Sequence, residues 1–376
     1  MNARERYLET LLFGKPDRVP LSPGGPREST LRAWHQQGLL EGVPWQEQLR
    51  DALGIPQEPA LPRPGLSVDF KMIPWFEEKV LEHRDGHYLV QDWMGNITEI
   101  SDTFDYTYIR QAKDFVTRKW HDAPAHNRAE WEERLKWRYD PAAEGRLPGD
   151  FAANLPTWRA RDYPLSITIP GPFWQMREWL GFEGLCYLMK DDPALIDEMA
   201  AFWTQFVLGV LDRVTPHVQL DSITVAEDMA YKAHAMISPA MTRRFVLPSY
   251  QAWADHLKAS GCPVFAVDSD GNIEGLIPLW LEAGVNCARP MEVAAGNDLV
   301  GLRRRHGRRM AYTGGIDKRA IAAGGQVMRD AVLGVVPPML VEGGYIPACD
   351  HGVPPDISWP NFVEYARLLA QLTGWL

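Results

Sequence analysis

The chain has 376 residues, 45% of them hydrophobic, and carries a formal net charge of −10. That length suits one (β/α)8 barrel with an N-terminal extension, and the apolar content can fill a sizeable core. The acidic balance excludes a nucleic-acid binder of the usual kind, which needs a clustered basic face, and no stretch reads as the roughly 20 apolar residues that span a bilayer.

In chain order, Met1 to Tyr7 is charged and lacks the apolar centre of a signal peptide, so a cytoplasmic protein without membrane contact is expected. Tyr7, Leu8, Leu11 and Leu12 fall at helical spacing and are stopped by Gly14 and Pro16. Val19 to Pro23 reads as a first barrel strand, ending in Gly24-Gly25-Pro26-Arg27-Glu28. The Pro-, Gly- and charge-rich stretch to about Pro74 is expected over the barrel mouth. Alternating residues on either side of Asp85-Gly86 predict a β-hairpin, an excursion from the barrel because barrel elements lie on both sides of it. Residues 120–150 look helical and charged, and Leu165 to Ile169 is a second strand.

From Asp221 onward short apolar runs alternate regularly with stretches long enough for a helix, up to a closing helix from Trp359 to about Leu372. Each run leads into polar turn residues: Ser222 to Ala226 into Glu227-Asp228, and Pro263 to Val267 into Asp268-Ser269-Asp270-Gly271-Asn272. Gly284 to Ala288 leads to Arg289 and Glu292, Arg309 to Thr313 to Asp317-Lys318, and Gly343 to Ala348 to Cys349-Asp350-His351. In a (β/α) barrel the active site lies at the C-terminal ends of the strands, so these residues converge on one cavity. The expected class is an enzyme.

Successive strand residues face opposite ways, so at most one of Glu227 and Asp228 enters the cavity, whereas Asp268 and Asp270 share a face. The 268–274 run resembles an EF-hand loop, but position 279 is Leu where the terminal glutamate belongs, so turn and helix-cap roles compete with function there. Cys349 and His351 share a face, and either could join Asp268 and Asp270 around a divalent ion; alternatively His351 is a general acid with no metal. Lys232, Arg27, Trp174, Arg289 and Asp317 complete the candidate catalytic and substrate-binding residues. Most mouth aromatics (Trp34, Trp75, Trp93, Trp179) read as core or lid packing. The basic run Arg303 to Arg309 reads as a solvated helix end, and Cys186, Cys262, Cys287 and Cys349 lack the spacing of a disulfide framework or zinc knuckle.

Arg4-Glu-Arg6-Tyr, Gly14-Lys-Pro-Asp17-Arg-Val-Pro20, Ala226-Glu-Asp-Met, Ile237-Ser-Pro239, Gly315-Ile-Asp-Lys318 and His351-Gly-Val-Pro-Pro-Asp356 with Asn361-Phe together resemble the uroporphyrinogen decarboxylase superfamily over nearly the whole barrel. The resemblance implies a (β/α)8 barrel with one of two chemistries: cofactor-free decarboxylation of tetrapyrrole acetates, or zinc-dependent methyl transfer involving a corrinoid protein or a thiol. True decarboxylases carry Arg-Gln-Ala-Gly-Arg-Tyr near the N-terminus; Ser22 to Glu28 stands there, leaving Arg27 alone. An acidic mouth would also repel a polycarboxylate. The methyltransferases place His-x-Cys and a late Cys on zinc, where this chain has Asp268-Ser-Asp270 and His351, a harder ligand set that suits polarising an ether or hydroxyl oxygen.

The leading expectation is therefore a methyltransferase using zinc or another divalent metal. Asp268, Asp270 and His351 would be ligands, and Glu227 a further ligand or proton carrier. The methyl group would move from a small O-methyl compound, aromatic ones included, or an N-methyl compound to a separate corrinoid protein. No corrinoid-binding Asp-x-His-x-x-Gly segment is present, so cobalamin belongs to a partner chain. The alternatives are a metal-free decarboxylase, with Asp268 or Glu227 as proton donor and Arg27 or Lys232 holding a carboxylate, and a non-catalytic barrel that binds a tetrapyrrole or corrinoid. Self-association as a homodimer is left open.

Overall fold

The computed structural model describes residues 1–57, 63–107 and 118–376. Its centre is a parallel sheet of β5 (Ser166–Pro170), β6 (Ser222–Ala226), β7 (Val264–Asp268), β8 (Cys287–Arg289), β9 (Ala311–Ile316) and β10 (Tyr345–Cys349), hydrogen-bonded in chain order and separated by helices. A separate antiparallel sheet is formed by β1 (Lys79–Arg84), β2 (His87–Gln91), β3 (Ile97–Ser101) and β4 (Arg118–Asp122). The Asp85-Gly86 hairpin expected from sequence is its first turn, with Arg84 paired to His87.

The parallel strands form because short β-branched runs, buried on both faces, are bounded by turn residues; β6 and β7 are each buried at four of five positions. Their two faces bury against different things. Val264, Ala266, Cys287, Ala311 and Ile346 face inward and meet Leu11, while Phe265, Val267 and Ala288 face outward into the helical layer. Leu11 ends helix α1 (Ala3–Leu11), whose capping box between Asn2 and Glu5 fixes its start. Arg4 ties this helix to the buried Asp221 at 2.7 Å, and Asp221 also pairs with Arg161 and accepts the Leu165 N–H. The helix thereby closes the end of the sheet opposite the strands' C-termini with an apolar plug.

Val19 to Pro23 does not form the expected strand. Residues 23–27 run beside the end of β10, where the Cys349 N–H donates to the Pro23 carbonyl and Val353 exchanges hydrogen bonds with Gly25 and Arg27. Pro20, Pro23 and Pro26 lack the N–H groups a ladder needs, so one isolated bridge, Pro26 to Val353, is all that forms. Among the described residues the parallel sheet therefore has six strands, not the eight of a complete barrel. Residues 120–150 also differ from expectation: they open with the end of β4 and continue as the short helices Arg128–Arg134 and Lys136–Arg138, because Pro141 and Gly145 prevent a longer one.

Outer helices supply the rest of the core. Pro193–Leu211 is long and apolar enough to cross a membrane by length and composition. Its Trp203, Phe206, Val207 and Val210 are buried within the main core, which accounts for that apolarity. Trp34 packs 5.0 Å from Trp359 and 4.7 Å from Phe362 of the closing helix Trp359–Leu372, and Phe70 meets Phe206 edge-on. Trp34 and Phe70, from the stretch expected over the barrel mouth, thus pack on the outer helices, and Arg27 reaches His351 beyond the C-terminal end of β10.

Candidate functional site at the C-terminal strand ends

Strand register sets the site. Pro170, Ala226, Asp268 and Arg289 occupy one row across β5 to β8, and that row is the last of these four strands. Val264 and Ala266 line the interior, so two-residue alternation sends Asp268 inward as well; Cys287 does the same for Arg289. The Arg289 guanidinium lies 2.9 Å from the Asp268 carboxylate.

Two further carboxylates join Asp268. Asp228, Asp268 and Asp270 each bring one oxygen within 4.8 Å of the others, all three half-buried. Asp228 gets there through a backbone φ of +39°, a left-handed value that a short polar side chain tolerates better than most. It is held there by the Asp270 N–H, which donates to its Oδ1 at 3.0 Å, and by Arg177, whose Nη1 donates to its carbonyl at 3.1 Å. Burial pushes the Asp228 and Asp268 carboxyls above the ordinary aspartate range, and the Asp270 charge adds to this; Arg289 pulls Asp268 back. Three acids this close need a compensating positive charge.

Glu227 faces the other way. Its buried carboxylate accepts the Trp174 N–H at 2.9 Å and the Tyr250 hydroxyl, at the start of helix Pro172–Asp191. It anchors that helix by occupying its positive end. Burial raises its carboxyl to about 7. A Cβ at Gly171 would fall on this carboxylate, so the two positions are mutually constrained. Only one of the adjacent acids joins the cluster, and it is Asp228; Glu227, expected as a further metal ligand or proton carrier, is held at Trp174 and Tyr250 instead.

His351 stands on the trio's edge. Its Nε2 is 3.0 Å from Asp270 Oδ2 and its Nδ1 is 3.0 Å from Arg27 Nη2. Guanidinium is a donor only, so Nδ1 accepts and the ring proton sits on Nε2, directed at Asp270. The Asp270 carboxylate raises the His351 pKa, opposed by burial, Lys318 and Arg27. Arg27 is therefore brought to the site, as expected, although its visible partner is a histidine.

The other candidates divide. Trp174 is half-buried, with the Arg177 guanidinium 4.3 Å above its ring. Asp317 caps helix Lys318–Ala323 through the Arg319 N–H and grips the Arg319 side chain at 2.8 Å. Lys232 projects from an exposed loop beyond Asp228. Cys349 is buried behind the strand end, where Gly24 passes within van der Waals reach. Trp34 and Trp179 are fully buried core, and Trp75 packs on Trp93 at 5.7 Å. Sequence reading missed Arg177 and Tyr250. Arg177 could have been found one helical turn beyond Trp174; nothing local marks Tyr250, whose role depends on the distant Glu227.

The sequence matches the uroporphyrinogen decarboxylase (URO-D) family over residues 155–368. No curated protein matches. Among solved structures, a methyltransferase from Methanosarcina mazei is similar over 98% of this chain and 98% of its own, with a TM-score of 0.56 and 15% identity. At that identity the likeness speaks to the fold alone. A protein from Listeria monocytogenes described as a vitamin-B12-independent methionine synthase reaches a TM-score of only 0.34 at 8% identity, over 57% of this chain and 64% of its own, and carries no weight.

Proposed function

Since the chain belongs to the uroporphyrinogen decarboxylase family, we propose that it is a metal-dependent methyltransferase of that family, moving a methyl group from a small O-methyl or N-methyl compound to a corrinoid protein. The carboxylate trio carries this reading. Asp228, Asp268 and Asp270 offer hard oxygen donors within 4.8 Å of one another; among the described residues Arg289 pairs with Asp268 and His351 with Asp270. Such a donor set fits a divalent ion, zinc among them. When bound, the ion supplies Lewis-acid polarisation of the oxygen or nitrogen that gives up its methyl.

The chain's own groups account for the rest. Arg289 orients Asp268, and Arg177 fixes the backbone that presents Asp228. His351 holds a proton on Nε2 beside Asp270, placed to reach a departing oxygen or nitrogen as charge develops on it. Arg27 keeps that tautomer in place. Arg177 also covers the Trp174 ring, 4.3 Å from its centroid. The methyl acceptor is a separate protein that brings its own corrinoid.

Metal analysis of protein purified without chelators should find about one divalent ion per chain, lost together with methyl transfer in Asp270→Asn. Fully active, metal-free protein would overturn the proposal. A second reading draws on the guanidinium groups of Arg27, Arg177 and Arg289 around the trio: decarboxylation of a small carboxylate. Carbon dioxide release without added metal would select it.

A further inference from the structure

Beside the trio a cavity of about 300 Å³ opens between loops that follow β6, β7, β8 and β9, lined among others by Tyr231, Lys232, Asp270, Glu292, Ala295 and Arg319. One wall is a flap. After β6 the chain doubles back: Ala230 bridges Ala235, the Tyr231 N–H donates to the His234 carbonyl at 3.1 Å, and the Met236 N–H donates to Met229 at 2.9 Å. At its tip the Tyr231 hydroxyl and His234 Nε2 lie 2.7 Å apart, and the rings meet edge to face at 4.6 Å. These contacts order a short turn that would otherwise cost conformational entropy on binding.

The flap is also fixed relative to Asp270. The Asn272 N–H donates to the Tyr231 carbonyl at 2.9 Å. Gly271, with φ +81°, passes so close that a Cβ there would sit 2.6 Å from the Ala230 carbonyl group. Only glycine permits that approach. The residue after Asp270 thus seats the flap that carries Lys232.

The other charged groups that line the cavity are already paired, Asp270 with His351 among them. Glu292 is satisfied by Lys318 Nζ at 3.2 Å and by the Gly271 N–H at 3.1 Å. Arg319 is clamped onto Asp317. Lys232 is exposed, lines the same cavity as Asp270, and has no hydrogen-bond or ion-pair partner among the described residues. We infer that this cavity receives the non-reacting end of the substrate, and that this end carries an anion, such as a carboxylate, read by Lys232. The inference rests on the trio being the reacting centre. The volume suits a single-ring acid and is too small for a tetrapyrrole. A neutral end would gain no charge-assisted contact with the ammonium, and a cationic end would be repelled by it.

Isothermal titration of the whole protein with para-methoxybenzoate, para-methoxybenzamide and para-methoxybenzylamine tests this without turnover or a corrinoid. The acid should bind about three- to fivefold more tightly than the isosteric amide, the upper size expected of an exposed ion pair, and the amine should bind more weakly than the amide. Lys232→Gln should level acid and amide, and Lys232→Glu should favour the amine. Lys232 is exposed, so both variants should keep the wild-type melting profile. Equal acid and amide affinities in the wild type, an unchanged ratio in Lys232→Gln, or no binding of the acid would each overturn the inference. A Lys232-dependent acid preference in a protein that holds no metal would sink the methyltransferase reading while leaving the anion site standing.

Discussion

Replacing Glu227 with Gln separates an anchoring role from a catalytic one. In the folded protein burial raises this carboxyl from 4.5 to about 7, whereas in the unfolded chain it titrates near its ordinary value. An acid whose folded pKa is raised stabilises the fold fully below its unfolded pKa and loses that contribution as pH rises through the folded value. At about 1.4 kcal/mol per pH unit, the interval from 4.5 to about 7 is worth about 3 kcal/mol. Gln keeps the shape and an acceptor for the Trp174 N–H but cannot ionise. Urea unfolding of both proteins from pH 4 to 8.5 should therefore show Glu227→Gln gaining on the wild type between about pH 4.5 and 7, by about 3 kcal/mol in all. Glu178, also buried and raised to about 7, titrates in both proteins and cancels in the difference. Parallel pH profiles would refute the burial argument.

Three further outcomes follow from packing. Gly171→Ala puts a methyl group onto the Glu227 carboxylate, so the start of helix Pro172–Asp191 must shift; a loss of about 1–3 kcal/mol is expected by urea titration, with partial rescue by Glu227→Ala. Leu11→Ala opens the plug under the sheet and should cost about 2–5 kcal/mol, read as a lower urea midpoint with an unchanged slope. Asp221→Ala strands the buried Arg161 and frees α1, so a loss of about 3–5 kcal/mol is expected, with faster amide exchange over residues 3–11.

Much of this was readable along the chain because it is local. Strand and helix periods located β5 to β10 and the closing helix, and alternation paired Asp268 with Asp270 and sent Glu227 and Asp228 apart. The prolines that spoil the Val19 to Pro23 strand are visible in the sequence too. Which of the adjacent acids enters the site was not legible. It depends on where helix Pro172–Asp191 places its free N–H groups and where Tyr250 stands. Likewise Arg27 and His351, 324 residues apart, meet only because residues 23–27 run beside β10. Periodicity specifies what each segment becomes and which way its side chains point, since both are set by bonds between near neighbours. Which charges neutralise one another is set by the folding of the sheet, which brings distant strand ends within a few ångströms, where Coulomb energies change steeply with distance.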